Sequence, residues 1–326
     1  MERSWEDLIQ AMRQGSVRAL SQMITAVENR ETGWHEGMKA VYPFSGSACV
    51  IGITGSPGAG KSTLTSVIAR RMAEQGLSLG IIAVDPSSPF SGGALLGDRL
   101  RMQEISTLPG IFIRSMATRG SLGGLCQAAR DVTRILDASG KDVILIETVG
   151  VGQDEIDVVR ASDFVMLVLF PGSGDGIQVI KAGTMEIADL FVVNKADRDG
   201  ADEMASEIAA MLSLCAFEDR PVPQVVRTSA LNRIGIDELM SVLTGIVRER
   251  KKRRLPGSDE VREEILELVE REISRLVRQD LAKNGRLQQS VDLILAKKSD
   301  PYTAAARLLP LFVRSSGACS GQEGRP

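Results

Sequence analysis

Cys49-Val-Ile-Gly-Ile-Thr-Gly-Ser-Pro-Gly-Ala-Gly-Lys-Ser-Thr63 decides the architecture. An apolar, β-branched run ends on a complete G-x-x-x-x-G-K-S pattern, and Leu64, Val67, Ile68 and Met72 then recur at helical spacing. A strand that turns through glycines into a helix is the context in which this pattern is a P-loop. The glycines let the backbone curl so that successive N–H groups face phosphate oxygens at the positive end of the helix dipole. Gly55, Pro57, Gly58, Ala59, Gly60, Lys61, Ser62 and Thr63 are therefore read as a nucleotide-phosphate cradle. Lys61 would supply a point charge at the β/γ-phosphates, and the Ser62 hydroxyl a hard oxygen for Mg²⁺.

Outward from this stretch, residues 46–254 alternate short apolar runs with helical periodicity. Strands are expected at Cys49–Thr54, Leu79–Val84, Ile111–Met116, Val143–Glu147, Phe164–Phe170, Leu190–Asn194 and Gln224–Thr228. Continuous apolar runs, rather than alternation, mean strands buried on both faces, as in a mostly parallel sheet covered by helices. Residues 1–45 carry a helical pattern (Leu8, Met12, Val17, Leu20, Met23, Ile24, Val27) and form an N-terminal helical segment. Beyond Pro256-Gly257, residues 255–314 open with a charged helix whose apolar stripe (Val261, Ile265, Leu268, Ile273, Leu276, Leu281) must dock on the sheet domain or on a second copy. The small, polar tail 315–326 is expected to be disordered.

Composition removes several function classes. The 326 residues are 43% hydrophobic and 25% charged with a net charge of −3, which gives no electrostatic case for nucleic acid or an anionic membrane. The basic run Arg248–Arg254 closes a helical pattern and is expected to be a solvated helix end. Cys49, Cys126, Cys215 and Cys319 form no paired motif and His35 is the sole histidine, so neither a disulfide framework nor a thiolate–imidazole metal site is expected. No apolar run approaches the roughly 20 residues of a membrane span. A cytoplasmic location is expected, or the matrix of an organelle where a transit peptide has been removed.

Downstream of the P-loop, acidic residues stand at expected strand ends and in the loops after them. Asp85 closes Ile81-Ile-Ala-Val-Asp85, Asp98 sits in the loop beyond, and Glu147 begins Glu147-Thr-Val-Gly150. That last stretch takes the place of the D-x-x-G element whose glycine amide senses a γ-phosphate, with Gly150 as the sensor. Ser62, Asp85, Asp98 and Glu147 are the candidate Mg²⁺ ligands. Asn194-Lys-Ala-Asp197 ends another strand and matches the N-K-x-D guanine element. A carboxylate at Asp197 accepts from the ring N1–H and the 2-amino group. Adenine offers neither, so ATP would leave a buried acceptor unpaired. Asn194 would tie this loop to the P-loop, and the stem of Lys195 would cover the base. Ser229-Ala-Leu231 fits the further element whose backbone amide meets the guanine oxygen. GTP and GDP with Mg²⁺ are the expected ligands.

Further stretches resemble one family. Val84-Asp-Pro-Ser-Ser-Pro89, Gly97-Asp-Arg-Leu-Arg-Met102, Ser121-Leu-Gly-Gly124, Glu147-Thr-Val-Gly-Val-Gly-Gln153, Gly172–Gly183 and Asp300-Pro-Tyr-Thr-Ala-Ala305 are similar to the methylmalonyl-CoA mutase-associated GTPases of the SIMIBI class, once labelled arginine-transport kinases. The resemblance covers residues 4–312. It implies a homodimer formed through C-terminal helices, and a GTPase chaperone that gates cofactor loading of an adenosylcobalamin-dependent acyl-CoA mutase and protects or rescues it. It also implies that Asp98 with Ser62 holds Mg²⁺, that Glu147–Gln153 is a second switch, and that Asp175, Gln178 and Lys181 lie in a third. The chain departs from the family pattern at Ser115-Met-Ala-Thr-Arg119 and at Asp175-Gly176. A nickel-insertion GTPase would want His/Cys ligands that are missing, and a small-molecule kinase would leave Asn194–Asp197 without a role. Val151 stands where Ras-like GTPases keep a water-orienting glutamine, so slow intrinsic hydrolysis is expected, with Lys61, Asp98, Glu147, Gly150 and Lys181 as the catalytic set.

Overall fold

The computed structural model describes residues 4–85, 103–117, 124–148, 161–172, 188–214, 221–252 and 257–313. The chain divides into two compact units, residues 1–255 and 256–326.

The first unit is built on a seven-stranded sheet: β1 (Cys49–Gly55), β2 (Leu79–Asp85), β3 (Ile111–Ala117), β4 (Val143–Glu147), β5 (Phe164–Leu169), β6 (Leu190–Val193) and β7 (Gln224–Arg227). The order is β3-β2-β4-β1-β5-β6-β7, and every pairing is parallel. Each expected strand is present: Val143–Glu147 has the expected ends, and the other six differ by one residue at the C-terminal end. β1, β4 and β6 are buried along their whole length, which is why their sequences are apolar without alternation. Because β1 is central, the turn that leaves it emerges between β4 and β5, where the strand order reverses. Open α/β sheets bind ligands at such a switch point, beyond the carboxyl ends of the strands.

Both faces are covered. Ile51, Ile53 and Leu145 point to one side, against Leu64, Ile68 and Met72 of the helix that follows the P-loop and Leu239 and Leu243 of the helix Ile236–Lys252. Val50, Ile82 and Ile144 point to the other, against the helix Gly124–Ala138 and the N-terminal helices α1 (Trp5–Arg13), α2 (Val17–Glu28) and α3 (Trp34–Val41). Ser4 and Ser16 cap α1 and α2, accepting from the backbone N–H of Asp7 at 3.2 Å and of Ala19 at 3.3 Å. Met12, Met23 and Ile24 are fully buried, so residues 5–41 form one layer of the first unit. Arg114 on β3 fastens α2 through a two-pronged contact with Glu28.

The edge of the sheet away from the P-loop is tied by carboxylates. Asp137 accepts from the backbone N–H of Gly46, of Ser47 at 3.1 Å and of Ala48 at 2.9 Å, and burial pushes its carboxyl above the ordinary range against those donors. Asp163 accepts from Val50 N–H at 2.8 Å and pairs with Arg250 at 3.1 Å. Within the basic run Arg248 is exposed, but Arg250 departs from the expected solvated setting: its side chain is only 18% exposed, because its charge is matched inside the fold. Beside this pair, burial pushes the Cys49 thiol up to about 12.

In the second unit the helix Ser258–Lys283 is followed by helices Arg286–Leu295, Pro301–Leu308 and Pro310–Val313. Asp300 caps Pro301–Leu308, accepting from Tyr302 and Thr303 N–H, each at 2.9 Å. The tail expected to be disordered lies outside the described residues. No helix among them is long and apolar enough to cross a membrane.

Candidate functional site

Strands β1, β4, β6 and β7 deliver the motifs to one edge of the sheet. Ile53 of β1 lies in register with Glu147 of β4, so the P-loop and the acidic strand end leave the sheet side by side. Gly55 turns out of the strand with φ +138°, and a side chain there would run into the carbonyl oxygen of Val168 on β5. Gly60 starts helix α4 (Lys61–Glu74) with φ +86°, and a Cβ would stand 2.6 Å from Asn194 Nδ2. Two spacings in the motif are thus fixed by sterics on opposite sides of the loop.

Lys61 is 6% exposed, and its ammonium donates to the carbonyls of Gly55 at 2.7 Å and Ser56 at 3.1 Å. Next to it, the Ser62 hydroxyl donates to Glu147 Oε1 at 2.5 Å in a buried contact. A hydroxyl and a carboxylate, both hard oxygens, meet at the start of a phosphate-facing helix. That donor chemistry fits Mg²⁺ and does not fit a soft metal. The backbone of Asp85 ends β2, two residues beyond the Ala83–Glu147 register pair. Asp98, Gly150 and Lys181, with Asp175 and Gln178, lie outside the described residues. Thr148 follows Glu147 and is fully buried, its hydroxyl donating to Thr54 Oγ1 at 3.1 Å and its N–H to Ile53 O at 3.1 Å, so the segment after β4 is pinned to the root of the P-loop.

Asn194 joins three elements. Its Nδ2 donates to Ala59 O of the P-loop at 2.7 Å, while its Oδ1 accepts from Thr228 Oγ1 and from Ala230 N–H, each at 3.2 Å. At 2% exposure this amide makes these three bonds inside the fold, and it ties the loops after β6 and β7 to the P-loop. Lys195 adopts φ +60°, uncommon outside glycine, and its ammonium lies 4.1 Å from the centre of the Phe170 ring. Partial burial, with Arg198 adding to it, holds that ammonium below the ordinary lysine range; Asp197 opposes both.

Asp197 differs from expectation. In the chain alone its side chain is exposed rather than buried, on the loop after β6, where Ser229 hydrogen-bonds to it. The burial that makes an unmatched acceptor costly has to come from the base. Ser229 is 1% exposed, its hydroxyl donates to Asp197 Oδ1, and it accepts from Asn232 N–H at 3.3 Å. That hydrogen bond is the first cause of an Asp197 carboxyl held below its usual range. Ala230 is buried, and Leu231 is 83% exposed. Sequence reading missed the Ser229 side-chain role and the Phe170 contact, because both depend on loops brought together from different strands.

A family model described as "Methylmalonyl Co-A mutase-associated GTPase MeaB" matches residues 20–289. The chain is 45% identical over 330 aligned residues to a putative GTPase of Pyrococcus abyssi, covering 98% of this chain and 99% of that one. It is 41% identical to the mouse mitochondrial methylmalonic aciduria type A homolog, over 59% of this chain and 48% of that protein. Among solved structures it is similar to a LAO/AO transport system kinase, with a TM-score of 0.68, 26% identity and coverage of 95% and 98%.

Proposed function

Because this chain belongs to the methylmalonyl-CoA mutase-associated GTPase family, we propose that it is a nucleotide-gated chaperone of an adenosylcobalamin-dependent acyl-CoA mutase, which it serves by controlling cofactor loading and protecting the loaded enzyme. The carrying observation is the convergence at one sheet edge of a phosphate cradle, a buried hydroxyl–carboxylate pair and a base loop, locked together by Asn194. A nickel-insertion GTPase or a small-molecule kinase would have to add an acceptor or metal-delivery site to that set.

In this reading the backbone of Gly55–Thr63 binds the β- and γ-phosphates, and Lys61 exchanges its loop carbonyls for phosphate oxygens. Ser62 and Glu147, with Asp85 and Asp98, would hold Mg²⁺, which when bound neutralises charge on the β- and γ-phosphates. Asp197 selects guanine, with Ser229, Ala230 and Leu231 at the base and Lys195 across its face. Asp98, Glu147–Gly150 and the Gly172–Gly183 stretch carry the difference between GTP and GDP to the client, through Asp175, Gln178 and Lys181. A switch of this kind needs a contact that differs between the two nucleotide states.

Basal hydrolysis is slow, at or below roughly 10⁻² s⁻¹, as in GTPases that lack a supplied catalytic group. The decisive assay measures GTP turnover with and without an apo-mutase, for wild type and Lys181→Ala. Stimulation of the wild type and weaker stimulation of Lys181→Ala, with GTP affinity kept, is the expected result. No stimulation by any such mutase would overturn the chaperone reading, and a basal rate of several per second would overturn the slow one.

A further inference from the structure

The loops after β5 and β6 run side by side. Asn194 N–H donates to Leu169 O at 2.8 Å, and the next residue along each strand contributes half of a contact that the nucleotide motifs do not include: the Lys195 ammonium 4.1 Å from the Phe170 ring centre. Phe170 is half-buried, packed against the core beneath the P-loop face of the sheet, so its ring is a fixed surface. Lys195 is held at φ +60° by its neighbours: Ala196 N–H donates to Thr228 O at 2.9 Å and Arg198 N–H to Lys195 O at 2.9 Å. The lysine is thus anchored at both its backbone and its ammonium, with four methylenes between them.

A free lysine stem loses rotamer freedom when a flat base packs on it, and a stem already fixed loses less. We propose that Phe170 is a positioning residue of the base site, its ring anchoring the Lys195 ammonium so that the lysine stem is preorganised as the cover over the face of a purine. The proposal rests on the guanine-nucleotide reading of Asn194–Asp197. It concerns the face of the base, whereas Asp197 reads the edge.

The test is GDP and inosine diphosphate binding to the full chain by calorimetry, with ADP as the control. Phe170→Leu should weaken GDP roughly two- to fivefold, the range of cation–π contacts at partly exposed sites. It should weaken inosine diphosphate by the same factor, since a cover over the ring does not sense the 2-amino group. Phe170→Tyr keeps a ring and should bind as the wild type; Phe170→Met keeps apolar bulk alone and should bind as Phe170→Leu. With Lys195→Met, which leaves a stem without charge, Phe170→Leu should cost nothing further. Equal GDP affinity for Phe170→Leu and wild type would overturn the inference. So would a loss undiminished beside Lys195→Met, which would make Phe170 a general support of the loop, or a changed ratio between the two nucleotides. Wild type binding ADP as tightly as GDP would instead remove the guanine reading itself.

Discussion

In the proposed reading Asp197 chooses the base by its carboxylate, which the Ser229 hydroxyl holds in place. Both oxygens of Asp197 are needed as acceptors, so Asp197→Asn should lower GTP affinity by orders of magnitude and create binding of xanthosine triphosphate, whose 2-oxo group accepts from an amide; competition binding measures both. The Ser229 hydroxyl holds the Asp197 carboxyl below its usual range. A depressed carboxyl keeps its charge as pH falls through the ordinary aspartate value of about 3.9, so binding that needs the charge should persist to that pH and fail only below it. Ser229→Ala removes the main cause of the depression, and its failure should begin at higher pH. The ratio of GDP to inosine diphosphate affinity across pH reads this with the shared phosphate titration cancelled. At this scale the sequence was legible where a residue acts through a fixed spacing, as Lys61 and Ser62 do behind the P-loop glycines. It was silent where a residue acts across strands. The Ser62–Glu147 contact joins positions 85 residues apart, and the exposed setting of Asp197 depends on how far Ser229 reaches from another loop.

The elements were legible for a related reason. A strand buried on both faces has to be apolar throughout, and β1, β4 and β6 announce themselves by that alone. Strand order and the choice of face for each helix are not encoded in period, and the N-terminal helices are the case in point. Their stripe shows that they dock, but only the paired core of Met23, Ile24, Val50 and Ile144 shows where. If that layer is integral to the first unit, it cannot unfold ahead of the sheet. Trp5 and Trp34, the two tryptophans of the chain, both sit in this layer and report on it alone. Urea unfolding followed by their fluorescence should coincide with loss of bound GDP. Ile24→Ala, at a fully buried position, should shift both curves together by about 2–5 kcal/mol. A fluorescence transition that precedes nucleotide release would show the layer to be a separate folding unit.

At the scale of the whole molecule the chain divides into two units, and the second carries exposed apolar side chains along its first helix. On the helix Ser258–Lys283, Ile265, Ile273 and Leu276 are 54%, 55% and 51% exposed, and Leu266 and Val269 are each 49% exposed. Isolated exposed leucines are ordinary, but a run of five along one helix is the kind of patch that marks an interface. The periodicity made this helix legible as one that docks; its partner was not legible, because an interface between copies leaves its mark on one sequence only as half of a contact. The homodimer reading assigns the second half to another copy of the same helix, an isologous arrangement in which each stripe meets its equivalent. Ile273→Asp with Leu276→Asp would then place four charges in a desolvated seam, two from each copy, a cost that no helix–helix contact of this size offsets. Sedimentation at low micromolar concentration should find a dimer for the wild type and a monomer for the double variant. GDP affinity should be the same in both, since the phosphate cradle and the base loop belong entirely to residues 1–255. A monomeric wild type would remove the dimer. A double variant that stays dimeric would move the interface to another surface, and lost GDP affinity in a folded monomer would mean that the nucleotide site depends on the second copy.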